Sequence, residues 1–146
     1  TLDDVDAVAE IAREGVAESG INAVFDIENA KDFFGAYVEY PEFDLLVSVN
    51  EDNEVGGFAQ VCESLEMFEQ PLCYVGKFWV RKADRRTWAA RDLLEAVEQW
   101  ASDRDCTAIY STATGELSGK EQKLFENLLK SYGYRDVGPV MIKLGG

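Results

Sequence analysis

The chain contains no histidine, and its three cysteines (Cys62, Cys73 and Cys106) stand far apart with no C-x-x-C spacing. Zinc and related metal sites are built largely from those two residue types, and Ser-His or Cys-His triads need an imidazole. No metal site and no such triad is therefore expected. Basic residues are also scarce. Fourteen Lys and Arg stand against 28 Asp and Glu, a formal net charge of −14 with a pI near 4.3. Phosphate backbones and anionic membrane surfaces both attract clustered positive charge, so neither nucleic acid nor membrane is expected as a partner. No apolar run approaches the ~18 residues of a membrane-spanning helix, and the opening residues do not resemble a secretion signal. An odd cysteine count without motif spacing reads as free, mostly buried thiols in a reducing compartment, so a cytoplasmic location is expected.

What is present is enough for one packed core. With 146 residues, 47% of them hydrophobic and 12% aromatic, a single domain over 1–146 is expected. Apolar residues recur at helical spacing from Thr1 to Ser19 (Leu2, Val5, Val8, Ala9, Ile11, Ala12, Val16), with Thr1 as a candidate cap and Gly20 as the stop. A second helix is expected over Ala30 to Val38, before Pro41. Phe43 to Val49, Val55 to Met67 and Cys73 to Val80 then read as three strands of an antiparallel meander, the first two joined by the polar turn Glu51-Asp52-Asn53. Thr87 to Asp103 returns to helical period, Thr107 to Ala113 is a short strand, and Gly119 to Tyr132 is a helix stopped by Gly133. Tyr134 to Val137 and Val140 to Leu144 read as a terminal strand pair. A helix between two strands of one sheet is a crossover, so at least one strand pair should be parallel.

The stretch VRKADRRTWAARDLL, Val80 to Leu94, carries the chemistry. Five of the chain's 14 basic residues (Arg81, Lys82, Arg85, Arg86, Arg91) fall within eleven positions. They sit where a strand ends and a helix begins. Free backbone N–H groups and the helix dipole favour an anion at such a point, and guanidinium groups add a fork that suits phosphate. A bland reading stands beside this one: a solvated loop whose arginines pair with surplus carboxylates.

The order strand–VRxxxR–helix resembles the coenzyme A turn of the GCN5-related N-acetyltransferase (GNAT) family, whose pattern is Q/R-x-x-G-x-G/A. Arg85 falls at the Q/R position, Trp88 at the first glycine and Ala90 at the G/A position. FDLLVSVNEDNEVGGFAQV resembles the family's second and third strands, TAIYSTATG its fifth strand, and LLKSYGYRDVG its last helix and the strand after it. The resemblance implies a mixed α/β fold: a central, mostly antiparallel sheet with one splayed parallel strand pair, flanked by about four helices. It implies acetyl-CoA as co-substrate, with backbone contacts at Phe78 and Val80. The phosphates would lie at Arg85, Arg86, Thr87, Trp88, Ala89, Ala90 and Arg91. Direct attack of a neutral amine on the thioester would need a base, an oxyanion donor and an acid for the leaving thiolate.

The chain departs from the family pattern in places. Trp88 brings an indole where phosphate approaches backbone closely. Leu129 stands at the position of the tyrosine that protonates the thiolate in many relatives, with Tyr132 and Tyr134 nearby. Val75 and Gly76 occupy the region of the family's strand-four glutamate. Glu63 and Glu66 are candidate substitutes, and Glu63 and Tyr132 are the catalytic candidates, beside the plainer reading of both glutamates as surface carboxylates. The expected function is acetyl-CoA-dependent N-acetylation of a small amine, or of a protein lysine or N-terminus. The acidic surface would attract a cationic amine or a basic protein. The departures support a second expectation, a GNAT scaffold without cofactor chemistry that serves as a binding or structural component. It would be a homo-oligomer or part of a larger assembly such as a virus particle (virion).

Overall fold

The computed structural model describes residues 2–19, 24–85, 87–112 and 119–137. A single 3-10 turn, Leu2–Asp4, leads into helix α1 (Val5–Ser19). Val5, Val8, Ile11 and Ala12 are buried along one face of α1, as their three- and four-residue spacing requires. Thr1 and Gly20, the expected cap and stop, lie outside the described residues. Helix α2 (Ile27–Tyr37) begins earlier than the expected Ala30. The reason is a cap: Asp26 Oδ1 accepts from the Asn29 N–H at 3.0 Å.

Strands β1 (Phe43–Val49), β2 (Val55–Ser64) and β3 (Leu72–Val80) form the expected antiparallel meander. The β1–β2 turn is fixed by Asn50, whose Oδ1 accepts from the N–H groups of Asp52 and Glu54, while Asn53 takes a left-handed φ of 61°. Strand β2 stops at Ser64 rather than Met67. There the chain turns, with the Phe68 N–H on the Leu65 carbonyl and Glu66 at φ 48°. Helix α3 (Ala89–Asp103) crosses over to β4 (Ile109–Ser111), which pairs with β3 in parallel and completes the four-stranded order β1-β2-β3-β4. The expected strand over Thr107 to Ala113 is thus shorter, with Ala113 outside the described residues. Helix α4 (Gly119–Ser131) ends at Gly133, whose φ of 88° suits glycine alone. The N–H groups of Gly133 and Tyr134 return to the carbonyls of Lys130 and Leu129. Tyr134–Val137 carries no strand pairing among the described residues, and Val140 to Leu144 lies outside them.

The sheet separates two cores. On one face α1 and α2 cover Leu45, Phe58 and Trp79; on the other, α3 and α4 cover Ala59, Val61, Val75 and Phe78. A Cβ on Gly15 would fall 2.6 Å from the Trp79 ring, so glycine is what lets α1 lie this close to β3. The result is the expected mixed α/β fold, with four helices around a mostly antiparallel sheet.

Candidate functional site

Among the described residues the parallel pair is short. Among those residues strand β3 matches β4 at Cys73, Tyr74 and Val75, followed by the Thr112 N–H on the Val75 carbonyl at 3.2 Å. Gly76 to Val80 then runs on beside β2 with no further β4 partner among the described residues. The β2–β3 register slips at this point, so that Val61 faces Val75 while Gln60 faces Lys77, with Gly76 as the extra residue. Beyond the slip the Arg81 N–H donates to Gly56 on the β2 side at 2.8 Å. Strand alternation therefore turns the N–H and C=O of Phe78 and Val80 to the edge away from β2, where no β4 partner follows among the described residues. The Phe78 side chain itself is buried under α4, 4.8 Å from the Phe125 ring.

The first half of the turn after β3 is tied down by carboxylates. Asp84 is buried at 5% exposure. Its Oδ2 accepts from Arg81 Nε at 2.7 Å and its Oδ1 from Asn50 Nδ2 at 3.1 Å. Arg81 also reaches Glu54 at 3.1 Å, so the turn is locked to the β1–β2 hairpin. A Cβ on Gly56 would meet the Asp84 carboxyl at 2.8 Å, so only glycine leaves room for that hub. From α1, Glu14 accepts the Lys82 N–H at 2.6 Å, and Glu18 takes both Nη groups of Arg85, one at 2.8 Å. Arg85 Nε meanwhile donates to the Val80 carbonyl at 3.1 Å, at the end of β3. The guanidinium's hydrogen bonds and charge hold the Glu18 carboxyl below its ordinary range, against the opposing effect of burial.

The second half is open. Thr87 Oγ1 donates to the Asp84 carbonyl and accepts from the Ala89 N–H at 3.2 Å, and Asp92 N–H on the Trp88 carbonyl at 2.9 Å is the first bond of α3. The N–H groups of Trp88, Ala90 and Arg91 have no acceptor among the described residues, as the start of a helix leaves them. Trp88 has ordinary helical backbone (φ −77°, ψ −2°), so the glycine of the family pattern is not needed for conformation here. Its indole is 69% exposed, and the exposed Arg91 guanidinium lies 5.3 Å from the ring centroid. Ala89 is buried and Ala90 packs on the core. Arg86 lies outside the described residues.

The family model described as "Acetyltransferase (GNAT) family" matches residues 8–129. The chain belongs to the GNAT family. Solved structures agree with this in fold. The tetramutant of the BH1408 protein from Bacillus halodurans is similar with a TM-score of 0.74 at 19% identity, over 98% of this chain and 95% of that one. An aminoglycoside N-acetyltransferase, AAC(6')-Iy in complex with CoA, gives 0.73 at 11% identity, over 98% and 89%. An aminoglycoside acetyltransferase, meta-AAC0020 from an uncultured soil metagenomic sample in complex with sisomicin, gives 0.70 at 16%, over 99% and 93%. A comparison with curated protein sequences gives no significant match.

Within this GNAT frame the two catalytic candidates have different settings. Glu63 pairs in register with Cys73, at the closed end of the β3–β4 pair, and its carboxylate lies 3.8 Å from Arg104. It is not brought to the edge that Phe78 and Val80 present. Tyr132 is half-buried beside α3, its hydroxyl donating to Glu95 at 3.2 Å, and Arg91 is its other polar neighbour. Burial first, and then Glu95, raises its pKa, so the phenol keeps its proton. Leu129 is buried in the core. The Tyr134 hydroxyl is buried without a partner among the described residues, and burial lifts it to about 12. The three cysteines are free thiols, and burial raises all three, Cys73 to about 12, so none is poised as a thiolate. No cluster that could hold a metal occurs among the described residues, and no helix among them is long and apolar enough to cross a membrane.

Sequence reasoning missed Asp84, Glu18 and Asn50. Their partners lie 34 and 67 residues away for Asn50–Asp84 and Glu18–Arg85, so no local spacing betrays them.

Proposed function

We propose that the chain is an acetyl-CoA-dependent N-acetyltransferase that acts on a cationic amine. One observation carries this reading: at the start of α3 the N–H groups of Trp88, Ala90 and Arg91 have no acceptor among the described residues, and just before them the Phe78 backbone and the Val80 N–H have no β4 partner among those residues, the Val80 carbonyl being taken by Arg85. A pyrophosphate suits the first group, where N–H donors, the helix dipole and the Arg91 guanidinium converge. An extended amide-bearing arm suits the second, because a free strand edge pairs with it as another strand would. The Phe78 or Val80 N–H would then donate to the thioester oxygen as it gains charge.

In that chemistry the neutral amine attacks the thioester carbonyl, a C–N bond forms and the C–S bond breaks. The ammonium proton passes to solvent, and the thiolate takes a proton from solvent, since Leu129 has none to give and Tyr132 points to Glu95. Positioning is thus the larger part of the rate enhancement. Arg85 contributes by holding the end of β3, through the Val80 carbonyl, rather than by offering its guanidinium first. The net charge of −14 favours encounter with a cationic acceptor. Two aminoglycoside-acetylating enzymes among the similar folds are consistent with such an acceptor. The chemistry also suits a reducing cytoplasm, where the released thiol stays reduced.

Thiol release with acetyl-CoA and a panel of amines tests this. Thiol formed in step with acetylated amine is the expected result. A folded protein that binds CoA yet releases no thiol above solvent hydrolysis with any amine would be the cofactor-silent scaffold instead.

A further inference from the structure

One row of side chains across the sheet is not explained by the core. Phe43, Cys62, Tyr74 and Tyr110 stand in register from β1 to β4, so they share a face. It is the α1–α2 face, because the Phe43 ring lies 4.7 Å from that of Tyr37 on α2. Towards β4 the row comes into solvent. The Tyr74 and Tyr110 rings stack at 5.5 Å with 22° between planes, and Tyr110 is 41% exposed. The pair sits one residue before Val75–Ser111, the last β3–β4 register pair among the described residues.

A carboxylate is aimed at it. Glu66 holds a left-handed φ of 48° in the β2–β3 connection, and its Oε1 accepts from the Tyr74 hydroxyl at 2.8 Å. A glutamate in that backbone region is uncommon, and such residues gather where a side chain must be presented in one direction. The Tyr110 hydroxyl has no partner among the described residues. Leu65, Met67 and Phe68, on either side of Glu66, are all exposed. An anion, two tyrosine rings and an apolar rim in open water form a surface that suits an organic cation: the carboxylate supplies counter-charge, the rings their negative faces, and the rim covers methylene groups.

We infer that Tyr74, Tyr110 and Glu66 form the acceptor subsite and select an alkylammonium, a primary amine on a flexible aliphatic chain. The assignment rests on the acetyltransferase reading, but ammonium binding can be measured without the donor. Glu66 and the tyrosines are specificity-determining here and take no part in the bond changes.

The experiment is calorimetric titration with spermidine at physiological ionic strength, without acetyl-CoA, on the wild type, Glu66→Gln, Tyr110→Leu and Glu51→Gln. The last removes the same charge at the exposed tip of the β1–β2 turn. Thermal melting of each variant reports folding, and a separate acetyl-CoA titration reports the donor site. Glu66→Gln and Tyr110→Leu are each expected to weaken spermidine about tenfold, with Glu51→Gln and all donor affinities unchanged. Equal weakening in Glu66→Gln and Glu51→Gln would mean diffuse charge attraction and overturn the subsite. So would a wild type that does not bind spermidine, or a Tyr110→Leu that binds it as the wild type does. Loss of acetyl-CoA binding alone would instead count against the donor turn.

Discussion

The two halves of the turn after β3 carry similar residues and use them differently. In Arg81–Arg85, arginines meet carboxylates that arrive from α1 and from the β1–β2 hairpin, and the buried Asp84 gathers the hairpin contacts. In Thr87–Arg91, no carboxylate arrives and the helix-start N–H groups of Trp88, Ala90 and Arg91 have no acceptor among the described residues, and Arg91 rests on an exposed indole. A basic run is therefore not uniformly a ligand site. What separates the two halves is whether a distant carboxylate reaches the residue, and in a chain of this acidity many do.

Substitutions in each half should separate stability from binding. The largest effect is expected at Asp84→Ala, which strands Arg81 and Asn50 around an emptied buried site and should cost about 3 kcal/mol in urea unfolding. An Asp84→Ala as stable as the wild type would mean that the anchor is ornamental. Next comes Arg85→Ala, which leaves the part-buried Glu18 without its guanidinium and should cost about 1–2 kcal/mol. Its pH dependence has a definite sign. The Glu18 pKa is lowered in the folded protein, so the pair's contribution is full above the ordinary value of 4.5 and is lost as pH falls through the folded value. The gap in melting temperature between the wild type and Arg85→Ala should hence be wide at neutral pH and close in acid. A gap that persists at pH 2 would deny that the ion pair is its source.

In the open half the order reverses. Arg91→Ala should leave unfolding within about 0.5 kcal/mol of the wild type and weaken CoA about tenfold by calorimetry. The smallest effect is expected at Trp88→Gly. Glycine is tolerated at a helix N-cap, so stability should change by only a few tenths of a kcal/mol. CoA affinity should hold or rise as the indole leaves the turn and releases Arg91. Weaker CoA binding in Trp88→Gly would show that the ring is itself a ligand, for instance by stacking on the adenine.

Much of the fold was legible because it is written locally. Val5, Val8, Ile11 and Ala12 mark α1 by spacing, Gly133 marks the end of α4, and the order of strands and helices fixes the crossover. Boundaries slipped where a side chain acts on backbone across a few residues: Asp26 starts α2 ahead of its apolar stripe, and the left-handed Glu66 ends β2 before its alternation ends. The basic run lies between β3 and α3, where the strand–basic run–helix order placed it. Its division into anchor and opening was hidden, because Glu18 and Asn50 act over dozens of residues. Glu63 looked like a base by type and strand, yet register sets it beside Cys73 and Arg104. The slip at Gly76, which turns the Phe78 and Val80 amides outward, has no sequence mark beyond the glycine itself.

The most direct measurement is calorimetric titration of the folded protein with acetyl-CoA, with Arg91→Ala and Arg85→Ala beside it. Micromolar binding is expected, weakened in Arg91→Ala without loss of stability, whereas Arg85→Ala should lose stability as well. No heat of binding at millimolar acetyl-CoA, in a wild type shown by melting to be folded, would contradict a donor site at this turn.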